Sequence, residues 1–132
     1  MVKIEAVIRP DKIDEVRRAI EAVGYPGVMV TELKGHGRQK GLQAGWPEDL
    51  REYFLPKTKL EIVVGNLHQE RVIKAILGAA RTGEIGDGKI FVYDIKDAVR
   101  IRTGERGIKA VSMRSDSVIV RHRGGKRRGK GA

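Results

Sequence analysis

The chain has 132 residues, 40% hydrophobic and 33% charged, which suits one domain around a single core and leaves no apolar run near the ~20 residues a membrane helix needs. It holds no cysteine, which excludes disulfides and thiolate chemistry and points to an intracellular, cytoplasmic location, and its first residues, MVKIEAVIRP, read as a strand rather than a signal peptide. The net charge of +10 is uneven: residues 114–132 hold seven Lys/Arg and one Asp, leaving +4 for the first 113, so overall charge is no argument that the folded part binds nucleic acid.

Residues 2–9 (VKIEAVIR) alternate as a strand, with Ile4, Ala6 and Ile8 on one face and Val7 on the other. Pro10 breaks it, and Asp11 is expected to cap a helix on which Ile13, Val16, Ile20 and Val23 recur at helical spacing. Gly24 and Pro26 stop that helix. A second strand is expected over 28–33, a third over 57–64, a second helix capped by Asn66, and a fourth strand over 89–95. Val72, Ile73, Ile76, Leu77 and Ala80 form the apolar stripe of the second helix.

The chain echoes itself at an offset of 56: KIEAVI at 3–8 returns as KLEIVV at 59–64, and Val16 and Ile20 return as Val72 and Ile76. Two βαβ units in tandem imply an α+β, ferredoxin-like βαββαβ sandwich with an antiparallel sheet. Two helices cover one face of such a sheet. The other face, with Val7 and Val63, is expected to be apolar and to ask for a partner, most simply in a closed homo-oligomer. Residues 1–111 read as the domain, and 112–132 as a basic, flexible tail.

Three segments suit an anion. The connection at about 36–56 far exceeds the ~12–15 residues usual for a structureless link, and its base joins Gly35, Gly37 and Gly41 to Arg38 and Lys40. Its Trp46 and Leu50 are costly to leave in water without a partner. The second segment, GEIGDGK at 83–89, fits the P-loop pattern. It runs from helix to strand, however, and has Ile90 where Ser or Thr would hold a metal, so it is read as a glycine turn with exposed amides and Lys89 beside them. In the third, RIRTGE at 100–105, an extended segment would point Arg100 and Arg102 the same way. No catalytic constellation is visible. His36, His68 and His122 lack metal-ligand spacing and read as surface residues.

The segments GRQKG at 37–41, FLPK at 54–57, LEIVV at 60–64, ARTGEIGDGKIFV at 80–92 and RIRTGE at 100–105 together resemble the PII nitrogen-regulatory proteins. The resemblance spans residues 2–105. It implies a homotrimer of ferredoxin-like subunits with nucleotide sites in the clefts between them, and a regulatory protein rather than an enzyme, a reading compatible with slow ATP turnover as a side activity. The long connection corresponds to the family's T-loop, 83–89 to its B-loop, and the chain after Arg102 to its C-loop.

By resemblance, Gly37, Arg38, Gln39, Glu61 and Val63 come from one subunit. Gly27, Gly86, Asp87, Gly88, Lys89, Arg100 and Arg102 come from its neighbour, with Val28, Met29, Gly35 and Ile62 adding to the nucleotide site. Val7 and Val63 flank the adenine of ATP or ADP, and Lys89, Arg38, Arg100 and Arg102 meet the phosphates. Gln39 holds Mg²⁺ with ATP, and Gln39, Lys40, Gly41 and Lys57 receive 2-oxoglutarate. Trp46, Leu50 and Arg51 face protein targets, such as an ammonium channel, glutamine synthetase or another nitrogen-linked regulator.

Three departures stand out. The loop has no tip tyrosine and no Ser or Thr, so covalent modification there is not expected; its tip, GWPEDLR at 45–51, is unusual; and Met29 replaces a small polar residue. Peripheral membrane association would come through a channel partner or the tail. The rival readings are a PII-like paralogue serving carbon or other transport and, from another class, a ferredoxin-like RNA-binding domain, which would need aromatics on the open sheet face.

Overall fold

The computed structural model describes residues 1–36 and 54–111. Strand β1 (Val2–Ile8) is followed by a 3-10 turn at Pro10–Lys12 and helix α1 (Ile13–Ala22). Strands β2 (Met29–Gly35) and β3 (Leu55–Val64) come next, then a second 3-10 turn at Asn66–His68 and helix α2 (Gln69–Ala80). Strand β4 (Lys89–Asp94) and a short helix α3 (Ile108–Val111) complete the described chain. The four strands form one antiparallel sheet in the order β2-β3-β1-β4, the ferredoxin-like α+β arrangement.

The repeat is real, and it reaches further than the strands. Lys12 donates its amide to Arg9, and His68 makes the same bond to Gly65, each at 3.0 Å and 56 positions apart. These two 3-10 turns replace the expected side-chain caps. Arg9 and Lys12, Gly65 and His68 hold the cap positions, and none makes a side-chain cap bond, so neither Asp11 nor Asn66 caps a helix. Pro10 fits the first position of its turn because its missing N–H would have had no partner there.

The helix exit is built as the sequence suggests. Gly24 adopts φ 109°, its amide bonds Glu21 O at 3.0 Å, and Tyr25 N bonds Ile20 O at 3.2 Å. This is a Schellman motif, with Ile20 and Tyr25 both in the core.

Alternation decides which face is covered. Val2, Ile4, Ala6 and Ile8 of β1 and Leu60, Ile62 and Val64 of β3 are buried against Val16 and Ile20 of α1 and Val72, Ile76 and Ala80 of α2. Leu77 proves to be an edge residue, 39% exposed, rather than part of the buried stripe. Ile20→Ala and Ile76→Ala are each expected to cost about 2–5 kcal/mol of stability. Leu67→Ala, at a side chain left in solvent, should stay within about 0.5 kcal/mol. Urea melts at one fixed protein concentration measure this, and equal losses at all three positions would contradict the assignment of the core.

Candidate functional site

The uncovered sheet face is set by register. Thr31, Lys59, Val7 and Lys89 lie in one row across the four strands; Met29, Glu61, Glu5 and Phe91 lie in the next; Val63, Lys3 and Tyr93 lie in a third. The expectation of an apolar face fails at its centre. Lys3 Nζ sits 3.0 Å from Glu61 Oε2, 3.7 Å from Glu5 Oε1 and 4.6 Å from the centroid of the Tyr93 ring. The hydrogen bond to Glu61 raises the Lys3 pKa, and a hydrogen bond to Glu5 raises that of Tyr93. The centre of this face is thus an ionic cluster of one cation between two carboxylates, with apolar Val7, Val63, Met29 and Phe91 around it.

Two candidate half-sites stand at different ends of this face. The first forms where β1 ends and β4 begins. Val7 pairs with Lys89, and Gly88 approaches so closely that a Cβ on it would stand 1.7 Å from the Val7 carbonyl oxygen. Gly88 also has φ 98°, so glycine is required there twice over. Lys57 reaches this end from β3 and donates Nζ to the Gly86 carbonyl at 2.8 Å. Burial, reinforced by the neighbouring Arg9 guanidinium, lowers the Lys57 pKa, and Asp87 opposes the shift.

Asp87 is engaged from inside the turn. Its carboxylate accepts from the Thr82 hydroxyl, the amides of Thr82 and Gly83, and Arg9. These bonds, led by the Thr82 hydroxyl, hold its carboxyl well below the usual carboxylate range. The Gly83 amide is therefore consumed within the turn, so an anion must be met by groups further along.

The second half-site is a groove of about 490 Å³ lined by Gly27, Val28, Met29, Glu61, Ile62, Val63, Arg100, Ala110 and Val111. Arg100 is held there: Nη1 pairs with Glu105 at 3.1 Å, and Nη2 donates to the Lys109 carbonyl at 3.1 Å. The surrounding segment is not extended. Arg100 N bonds Glu105 O at 2.8 Å and Gly104 N bonds Arg100 O at 2.7 Å, which closes a tight turn with Gly104 at φ 77°. The alternation argument for Arg100 and Arg102 therefore fails: Arg102 lies exposed on the turn, while Arg100 lines the groove.

Within one chain the site residues fall into two groups. Glu61 and Val63 share one chain's groove with Gly27 and Arg100, whereas Gly86, Asp87, Gly88 and Lys89 stand with Val7 and Lys57. Val7 lies level with Lys59 and Val63 level with Lys3, so four residues of strand, about 13 Å, separate them within a chain. Gly35 ends β2 opposite Leu55. Gly37, Arg38, Gln39, Lys40, Gly41, Trp46, Leu50 and Arg51 lie outside the described residues.

Residues 1–105 match the family model described as nitrogen regulatory protein P-II. The chain belongs to the P-II family. It is 56% identical over 117 residues to the nitrogen regulatory protein P-II of Bradyrhizobium diazoefficiens, a match covering 84% of this chain and all of that protein. It is 50% identical over 112 residues to nitrogen regulatory protein P-II 2 of Methanothermobacter thermautotrophicus, covering 84% of this chain and 97% of that one. The crystal structure of Arabidopsis thaliana PII bound to citrate superposes with a TM-score of 0.71 at 43% identity, covering 85% of this chain and 90% of that one.

The sequence reading missed several residues of this P-II chain's site. Arg9 and Thr82 brace the glycine turn, and Ala110 and Val111 close the groove. A signal existed for Thr82 alone, a hydroxyl beside a glycine turn that contains an acid. Two histidines also make defined contacts, although His36 is exposed as expected. His36 meets Phe54 edge to face at 5.3 Å between ring centroids, at the stem of the long loop. His68 Nδ1 is hydrogen-bonded to the hydroxyl of buried Tyr25. Gly88→Ala is expected to displace the turn and lose several-fold more stability than Gly83→Ala. The latter meets nothing within 4 Å and carries only the strain of φ 92°, about 1–2 kcal/mol. Urea denaturation of both variants tests this, and equal costs would refute the close approach at Val7.

Proposed function

We propose that this chain is a non-enzymatic signal-transduction protein of nitrogen metabolism, working as a cytoplasmic homotrimer. It senses ATP or ADP, and 2-oxoglutarate, in clefts between subunits, and it regulates protein targets through the conformation of the long loop. The observation that carries the reading is the separation of two complementary half-sites on one chain. One offers glycine amides and cations: Gly86, Gly88, Lys89 and Lys57. The other offers a largely apolar groove, with Val28, Met29, Ile62 and Val63, suited to the flat face of a base.

A nucleotide needs both kinds of surface, and one chain holds them apart. With Val7 and Val63 about 13 Å apart in the sheet, a single adenine touching both must lie between two copies. The arrangement then draws Val7, Gly35, Lys57 and the glycine turn from one subunit, with Gly27, Val28, Met29, Glu61, Ile62, Val63, Arg100 and Arg102 from the next. Arg38 and Gln39 join from the loop.

Lys57 supports the carboxylate-binding part. It is a partly buried cation near Arg9, and its described hydrogen bond goes to a neutral carbonyl, so an incoming carboxylate would gain a charge-assisted bond. The Arabidopsis relative carries citrate, a polycarboxylate, which is in keeping with this. Among the described residues no cluster of His, Cys, Asp or Glu could hold a metal on its own, so Mg²⁺ would rest on Gln39 and ligand oxygens. No helix among them is long and apolar enough to cross a membrane, so contact with membranes would come through a partner or the basic tail.

Calorimetric titration with ATP and with ADP, each with and without 2-oxoglutarate and Mg²⁺, tests the proposal, with native mass spectrometry to read the trimer. Lys57→Ala and Gln39→Ala are expected to weaken 2-oxoglutarate binding roughly 10–100-fold and ADP binding by a smaller factor. A monomer, or an assembly that binds neither adenylate, would end this reading.

A further inference from the structure

We infer that Thr82 and Asp87 are positioning residues for the phosphate half-site, bracing the glycine turn from within so that its later groups and Lys89 meet the ligand; this rests on the nucleotide reading above. An aspartate in the middle of an anion-binding turn is otherwise a contradiction, because a bare carboxylate would repel a phosphate. Here its charge is spent internally.

Each carboxylate oxygen is occupied by two donors. Oδ1 accepts from Thr82 Oγ1 at 2.5 Å and from Arg9 Nε at 3.1 Å. Oδ2 accepts from the amides of Thr82 at 2.8 Å and Gly83 at 2.9 Å. The Thr82 hydroxyl gives its one proton to Asp87 and accepts the Glu84 amide at 3.1 Å. Arg9 extends Nη2 to the Ile85 carbonyl at 2.9 Å, so its guanidinium grips the turn at two points.

The amides of Thr82, Gly83 and Glu84 are thus satisfied inside the turn. A turn already braced in this way has less to order when a ligand arrives, and that saving appears as affinity. Thr82 touches no proposed ligand position, so its contribution runs wholly through Asp87 and the backbone. Valine matches threonine in shape but can neither donate nor accept; serine can do both.

The test uses the full-length chain with Thr82→Val and Thr82→Ser. ATP affinity is read by calorimetry, and the ionisation of Asp87 by its ¹³C carboxyl shift. Thr82→Val should weaken ATP about tenfold, the loss of one charge-assisted hydrogen bond, and Thr82→Ser should restore it. In the wild type and in Thr82→Ser, Asp87 should remain ionised as pH falls through 3.8, the ordinary aspartate value, and protonate only in stronger acid; in Thr82→Val its midpoint should rise toward 3.8. By linkage the raised Asp87 midpoint also removes a little stability above pH 3.8, so the Thr82→Val thermal midpoint should fall slightly at neutral pH and Thr82→Ser should restore it.

Undiminished ATP affinity in Thr82→Val would overturn the inference. So would a loss that serine does not rescue, or one with an unmoved Asp87 titration. Failure of the wild type to bind ATP would instead overturn the nucleotide reading, and this inference with it; the two failures are told apart because the latter precedes any substitution.

Discussion

The contact between Gly88 and the carbonyl of Val7 is the constraint on which the rest of the site depends. A Cβ at residue 88 would stand 1.7 Å from that oxygen, so the glycine turn can dock onto the end of β1 only with hydrogen in that place. The docking sets Lys89 opposite Val7 and so fixes the register of β4. The same approach places Asp87 within reach of Arg9, the residue after β1, and Gly86 within reach of Lys57 on β3. One steric requirement therefore aligns three strands' worth of charge around a single turn.

The open sheet face shows a second constraint. Lys3 bridges Glu5 and Glu61 across β1 and β3, one cation between two carboxylates, and Tyr93 lies under Lys3 and bonds Glu5. Covering such a cluster strips water from three charges, and their mutual attraction offsets this only while the geometry is kept. A purely apolar face would tolerate many registers between copies. An ionic centre ringed by Val7, Val63, Met29 and Phe91 favours one, and a cleft assembled from two subunits needs its walls in one register. In the proposed trimer the charged centre thus serves specificity, and the apolar ring supplies the gain from burial.

Much of this was legible in the sequence, and the limits have physical causes. The offset of 56 revealed the fold because it joined a strand period to a helix period, and Val16, Ile20, Val72 and Ile76 are all buried as it required. The glycine turn was legible because Gly86 and Gly88 are needed for positive φ. The caps were not, because a 3-10 turn gives the helix the same start as a side-chain cap without its residue pattern. Arg100 and Arg102 misled because alternation holds only in an extended chain, and Gly104 permits a turn instead. The grouping of site residues within one chain was illegible for a different reason. It depends on which residues share a row across the sheet, and that follows from pairing rather than from order along the chain.

Lys57 ties these constraints to a response. It belongs to a central strand, it holds the Gly86 carbonyl, and it stands two pairs from the end of the β2–β3 ladder, where Gly35 faces Leu55 and the His36–Phe54 ring contact begins the long loop. On the proposed reading, an anion that takes a bond from Lys57 shares its ammonium group, which has three donors, with the Gly86 carbonyl. It therefore acts on the same turn that Asp87 braces, and on the strand pair from which the loop departs. Coupling between nucleotide and effector then needs no long path, because both draw on one ammonium group. Linkage makes the effect reciprocal: whatever factor the effector contributes to nucleotide affinity, the nucleotide returns. The loop can be moved only by the difference in ligand affinity between its conformers. A cation whose charge is already strained by burial and by Arg9 gives a carboxylate most to gain in the conformer that presents it.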